Sequence, residues 1–205
     1  MTDQFSLFAP PPGPAPVPKP RASSGARRHE LFFALQPAAQ DAKRVAARAA
    51  AERGRLAIGG KALEPERLHV SLRAMGDYSD VFPVSDVGRW MAAAACVRMA
   101  PFDVVFDRVA TFGGIAQPLV LKAGAVSGVV GVRRLSQALG MALADAGEHV
   151  TARGLEPHMT ISYQGTAIAE TSIEPVGWTA CDFVLIDSHY GAHLHEVIGR
   201  WPLRA

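Results

Sequence analysis

Two short segments constrain this chain more than anything else in it: "LHVSLR", residues 68–73, and "PHMTISY", residues 157–163. Each sets a histidine and a hydroxyl residue two apart within an apolar, strand-like run. A strand turns every second side chain to the same face, roughly 7 Å apart. His69, Ser71 and Arg73 are therefore predicted on one face of their strand, with Leu68, Val70 and Leu72 on the other. In the second segment His158, Thr160 and Ser162 are set against Met159 and Ile161. One such histidine alone is best read as a core residue hydrogen-bonded to backbone. Two in matching context, 89 positions apart, point instead to a shared site. A third His-x-Thr pair, His149 and Thr151 in "GEHVTARG", has no flanking apolar alternation and reads as a loop coincidence.

The rest of the pattern supplies the frame. Residues 29–36 read as a buried strand ending at Pro37. An alanine-rich helix follows over 38–54, with Ala42, Val45, Ala46 and Ala49 on one face and Gly54 as its stop. A strand is predicted over 67–74, and a helix from Ser85, as N-cap, to Val97. Residues 101–112 alternate as a strand, and "QPLVLKA" reads as its return. Val132, Leu135, Leu139, Ala142 and Leu143 mark a helix over 127–146. Strands are predicted at 157–163, 180–187 and 194–201. Long alternating strands with a few helices between them give an α+β class. A histidine strand, a long helix and neighbouring strands in each half suggest a bilobal fold with approximate internal two-fold symmetry.

Residues 9–28 carry seven prolines and little that can be buried, so residues 1–28 are expected to be a disordered, basic tail. The folded domain is then 29–205. The formal net charge is +2; four basic residues against Asp3 put +3 in the tail, which leaves −1 for the body. A body so near neutrality is not built to track a long phosphate backbone, although a small anion or one RNA end suits it. Cys96 and Cys181 match no metal or redox spacing and are expected to be buried free thiols in a reducing cytoplasm. No apolar run reaches the length of a membrane span, and the N-terminus lacks the pattern of a secretory signal.

Paired imidazoles and hydroxyls suit phosphodiester chemistry. Opening a cyclic phosphodiester needs a base to take a proton from water and an acid to protonate the departing ribose oxygen. Imidazole performs either part near neutral pH. Hydroxyls two residues on can donate to the non-bridging oxygens, where charge builds in the transition state. The scheme requires no metal and no cofactor.

The motifs "HVSL" and "HMTI" resemble those of the two-histidine phosphoesterases, in particular the 2′-5′ RNA ligase and RNA 2′,3′-cyclic phosphodiesterase branch. "RHELFFALQP" and "HEVIGRWPL" are similar to that family's first and last strands, and the resemblance covers about residues 28–203. It implies a bilobal α+β fold, with two antiparallel-rich sheets lining a central cleft and helices packed outside. It also implies His69 and His158 as the catalytic pair, and Ser71 and Thr160 as phosphate-binding hydroxyls. By analogy His69 is the acid and His158 the base. Two positions depart from the family: Ser71 stands where Thr is usual, and Tyr163 where many members have Arg. Tyr163 is expected to touch substrate, and Arg73 to supply the missing positive charge.

The substrate expected is an RNA end or a small cyclic nucleotide, handled by a monomer away from membranes. The alternatives are 2′-5′ end-joining, which is the reverse direction, and a non-catalytic RNA-binding protein on the same fold. The cluster His189, His193, His195 and Glu196 has the look of a metal site but matches the family's turn into its last strand, so no metal is expected there. Phe32 and Phe33 are read as core rather than as base-stacking residues.

Overall fold

The computed structural model describes residues 28–112, 117–124, 126–149, 155–163, 167–192 and 194–205. The proline-rich segment 1–27, Thr151 and His193 lie outside the described residues. The chain opens with β1 (Arg28–Leu35), starting one residue inside the expected tail, and continues into α1 (Ala39–Arg55) and β2 (Lys61–Ala62). A 3-10 turn over Pro65–Arg67 leads into β3 (Val70–Ser79), α2 (Val84–Ala95), β4 (Phe102–Thr111) and β5 (Pro118–Lys122). A second such turn, Val126–Val129, runs into α3 (Val130–Asp145), then β6 (His158–Tyr163), β7 (Thr171–Ala180), β8 (Asp182–His189) and β9 (Leu194–Pro202).

Every strand pairing is antiparallel, in the order β7-β4-β5-β6-β3-β1-β8-β9, with β2 beside β6. The two histidine strands are neighbours at the centre and meet at one bridge, Val70 opposite Met159. Four strands lie to either side of that seam, so the two expected sheets are joined into one. Each half contains a strand, a helix and a histidine strand in the same order, β1-α1-β3 and β5-α3-β6. This order is consistent with approximate two-fold symmetry.

All three helices cover one face of the sheet. Val45 and Ala49 of α1, Trp90 and Ala93 of α2, and Leu135, Leu139 and Leu143 of α3 share a core with Leu31, Phe33, Phe106, Leu121 and Met159. The other face carries only a small apolar cluster of Phe32, Ala34, Val184 and Ile186. Leu139 is wholly buried in the main core. We expect Leu139→Ala to lower unfolding free energy by about 2–5 kcal/mol, read from a denaturant midpoint.

Several local expectations are revised. Helix α1 passes through Gly54 and closes with Ile58 N–H donating to the Arg53 carbonyl and Ala57 N–H to that of Gly54. Ala57 holds the left-handed position, φ 52°, that glycine usually fills. Ser85 lies inside α2 rather than capping it; Pro83 is the N-cap, with no side-chain cap bond. Strand β7 is not foreseen in the sequence, because Pro175 and Gly177 break its pattern. As an edge strand paired only with β4, it tolerates a missing N–H, and its register with β4 skips past Pro175. Cys96 and Cys181 are free but exposed rather than buried, since each falls at an element end. No described helix is long and apolar enough to cross a membrane.

Candidate active site

Both histidine strands carry the same irregularity at the same offset. Ala34 pairs with Ser71 and Phe33 with Arg73, so β3 bulges at Leu72, three residues after His69. Val120 pairs with Thr160 and Leu119 with Ser162, so β6 bulges at Ile161, three residues after His158. An extra residue reverses the parity of everything beyond it. Arg73 and Ser162 consequently turn to the helix side, opposite the core residues Phe33 and Leu119. Ser162 is fully buried. Ala74 and Tyr163, five residues after each histidine, return to the open face.

That face holds a cleft of about 490 Å³, lined by His69, just ahead of β3, by Ser71 and Ala74 of β3, and by Thr160 and Tyr163 of β6. Phe32 forms part of its floor, 6% exposed, while Phe33 belongs to the core, so the pair divides between the two faces of the sheet. Tyr163 stands at the lip, 55% exposed. Neither Arg73 nor His158 is among the lining residues, and Arg73 pairs with the core residue Phe33 rather than sharing the face of His69 as alternation predicts. The cation of the cleft is Arg67, at the end of the 3-10 turn. Its parity with His69 and Ser71 is visible in the sequence, on the side of the motif opposite to Arg73.

The two imidazoles are anchored alike. His69 Nδ1 lies 2.8 Å from the Arg67 carbonyl, and His158 Nδ1 2.8 Å from the Glu156 carbonyl. A carbonyl only accepts, so Nδ1–H donates in both and Nε2 is left for chemistry. His158 is half-buried, on the strand beside that of His69, with its ring 4.5 Å from Phe112. Extending the Val70–Met159 register by one residue each way sets His69 abreast of Thr160 and Ser71 abreast of His158.

A third histidine joins them. His195, from β9, sets its ring edge-on to His69 at 5.2 Å, and Phe32 packs beside both. Arg67 Nη2 lies 3.4 Å from His195 Nε2, so this nitrogen is an acceptor and the ring is neutral. The sequence cluster is therefore divided: His195 enters the cleft, His189 edges it while its Nε2 faces Glu196, and His193 is outside the described residues.

Electrostatically the empty cleft disfavours further positive charge. The His69 ring keeps an edge open to the cleft, yet its pKa is lowered, chiefly by desolvation and also by the charges of His158 and Arg67; the Arg67 carbonyl opposes this. Burial, with His69 and Arg67, lowers His195 to about 4. Glu30, on the cleft wall, is pushed up by burial and by Asp77. Folded protein thus binds fewer protons at these histidines than unfolded chain does. Stability is expected to fall as pH drops from about 6.5 towards 4, with a weaker fall in His195→Gln. Thermal midpoints across that range check it.

An open sheet face with two equivalently tethered imidazoles, each accompanied by a hydroxyl, defines the two-histidine class. The chain belongs to the 2′-5′ RNA ligase superfamily, whose family model matches residues 36–190. Solved structures agree in fold. Escherichia coli LigT in its apo form superposes with a TM-score of 0.66 at 18% identity, over 87% of this chain and 99% of that one. TT0787 of Thermus thermophilus gives 0.65 at 20%, over 86% and 98%. A crystal structure described as a phosphoesterase gives 0.65 at 19%, over 86% and 99%. No curated protein matches the chain at a significant level.

Proposed function

We propose that this protein hydrolyses 2′,3′-cyclic phosphodiesters, on RNA ends or nucleotides, to 2′-phosphates by histidine acid–base catalysis. One observation carries the reading: two imidazoles on adjacent strands share the same Nδ1 anchor, which leaves both Nε2 atoms available for acid–base work. Ser71 and Thr160 offer hydroxyl donors to the non-bridging oxygens, and Arg67 offers charge. The cleft volume falls within the roughly 300–1,000 Å³ of small-ligand sites. Crystal structures of E. coli LigT in complex with 3′-AMP, ATP and NADP+ lend support to a nucleotide-sized ligand. The same groups would run 2′-5′ end-joining in reverse; release of ring strain in water favours opening.

The test is incubation of the protein with a nucleoside 2′,3′-cyclic phosphate in EDTA. A 2′-phosphate is the expected product. A 3′-phosphate, or turnover abolished by the chelator, would refute the scheme.

Desolvation lowers the pKa of His69, whereas the resemblance assigns it the acid. A bound phosphodiester supplies the counter-charge that favours imidazolium. Substrate binding is therefore coupled to protonation of His69, while His158 accepts the proton of water. Titration calorimetry with a nucleoside 2′-phosphate near pH 7, in buffers of different ionisation enthalpy, should show proton uptake that disappears in His69→Ala. Binding without uptake would reverse the two roles.

A further inference from the structure

On the helix side of β1, β8 and β9, beyond the end of the core, lies a polar cluster that the cleft chemistry does not use. His29 pairs with His189 across β1 and β8, Leu31 with Asp187, and Asp187 with Glu196 across β8 and β9. Leu31 and Leu185 fix that face as the core side, since Phe32, Val184 and Ile186 take the other. His29, Asp187, His189 and Glu196 thus converge there, with only His189, the last residue of β8, also edging the cleft.

We propose that this cluster is a site for a divalent first-row transition metal ion, zinc foremost. One ligand atom from each of His29, Asp187 and His189, an imidazole nitrogen or a carboxylate oxygen, lies within 4.8 Å of the others. Tetrahedral zinc with bonds of about 2.0–2.1 Å needs ligand atoms about 3.4 Å apart. The cluster is close to that spacing: His29 Nδ1 to Asp187 Oδ1 is 3.0 Å, His189 Nε2 to Asp187 Oδ2 is 3.6 Å, and His189 Nε2 to Glu196 Oε2 is 3.4 Å. Small side-chain shifts close the set, with Glu196 as fourth ligand.

Two further features point to a cation. His189 Nε2 is buried and, among the described residues, makes no hydrogen bond, although two carboxylates face it. Tyr78 Oη donates to Asp187 Oδ2 at 2.8 Å, and its ring stacks on His29 at 5.0 Å. A phenol so placed orients the carboxylate as an outer partner does around a metal ligand. Asp187 itself is 5% exposed, a buried carboxylate for which a cation is an effective partner. Imidazole and carboxylate together suit zinc and its neighbours better than magnesium or calcium, which take oxygen ligands.

The site is tested with the full chain, free of any polyhistidine tag, stripped with chelator and titrated with Zn²⁺ and then Co²⁺. One ion per chain is expected, with visible absorption from four-coordinate Co²⁺. At a hundredfold excess of Zn²⁺ over its Kd, Tm should rise by about 5–10 °C. His29→Gln and His189→Gln should each weaken binding at least tenfold. The exposed Glu196→Gln, which leaves the fold undisturbed, should weaken it less. His69→Gln and His195→Gln should bind as the parent does. Absence of Zn²⁺ uptake by the parent overturns the proposal. So does uptake that survives His29→Gln and His189→Gln, or that is lost with the cleft histidines.

Discussion

Replacing either His69 or His158 by alanine is expected to lower turnover of a nucleoside 2′,3′-cyclic phosphate by about 10² to 10⁴-fold, the range for a positioned acid or base. Neither change should unfold the chain, because both rings are tied to the backbone by a single Nδ1–H donation and lie on the open face of the sheet. Circular dichroism of each variant checks this. On the proposed mechanism the two groups would act on one phosphate, so the double variant should lose far less than the product of the single losses. Each single variant should also lose one limb of the pH profile of kcat/KM: the acidic limb when the base is removed, the alkaline limb when the acid is removed. Variants as active as the parent would leave the cleft without its proposed chemistry.

Arg67→Ala is expected to lower kcat/KM by about 10- to 100-fold, whereas Arg73→Ala should change it less than about threefold. The contrast follows from the bulge at Leu72. Arg67 lines the cleft and its Nε, among the described residues, has no acceptor although it is buried. A phosphate bound as proposed would supply that acceptor, and a hydrogen bond between charged groups contributes about 1.5–3 kcal/mol. Arg73 is turned to the helix side, where its pKa is lowered by desolvation. Steady-state kinetics on both variants decide the matter. A large loss in Arg73→Ala with none in Arg67→Ala would mean that the strand face is not as described.

Much of this was legible because the motif strands obey a two-residue period up to their third residue. Leu68, Val70 and Leu72 are buried as alternation requires, and the helical spacing of Val132, Leu135, Leu139 and Leu143 marked the buried face of α3. The period fails at Leu72 and Ile161, and no local residue announces it: neither a glycine nor a proline stands at either bulge. A bulge is a property of two paired strands, and one strand's sequence holds only half of it. That is why alternation alone puts Arg73 and Ser162 on the wrong side. In the sequence His195 gives no sign of its place, because the cluster around it is split by the strand: the next residue, Glu196, faces the other side of the sheet. Arg67 was hidden differently, in a turn that precedes its strand and reads as part of it.

The paired bulges also shape the cleft. By reversing parity in both halves, they bring the fifth residue after each histidine to equivalent positions on the cleft wall. Those positions are filled unequally, by the single methyl of Ala74 and the phenol of Tyr163. A binding site built from two near-copies would otherwise accept a ligand in either of two senses. Here one end is roomy and the other crowded. A ligand laid across the cleft would therefore meet a different wall at each end.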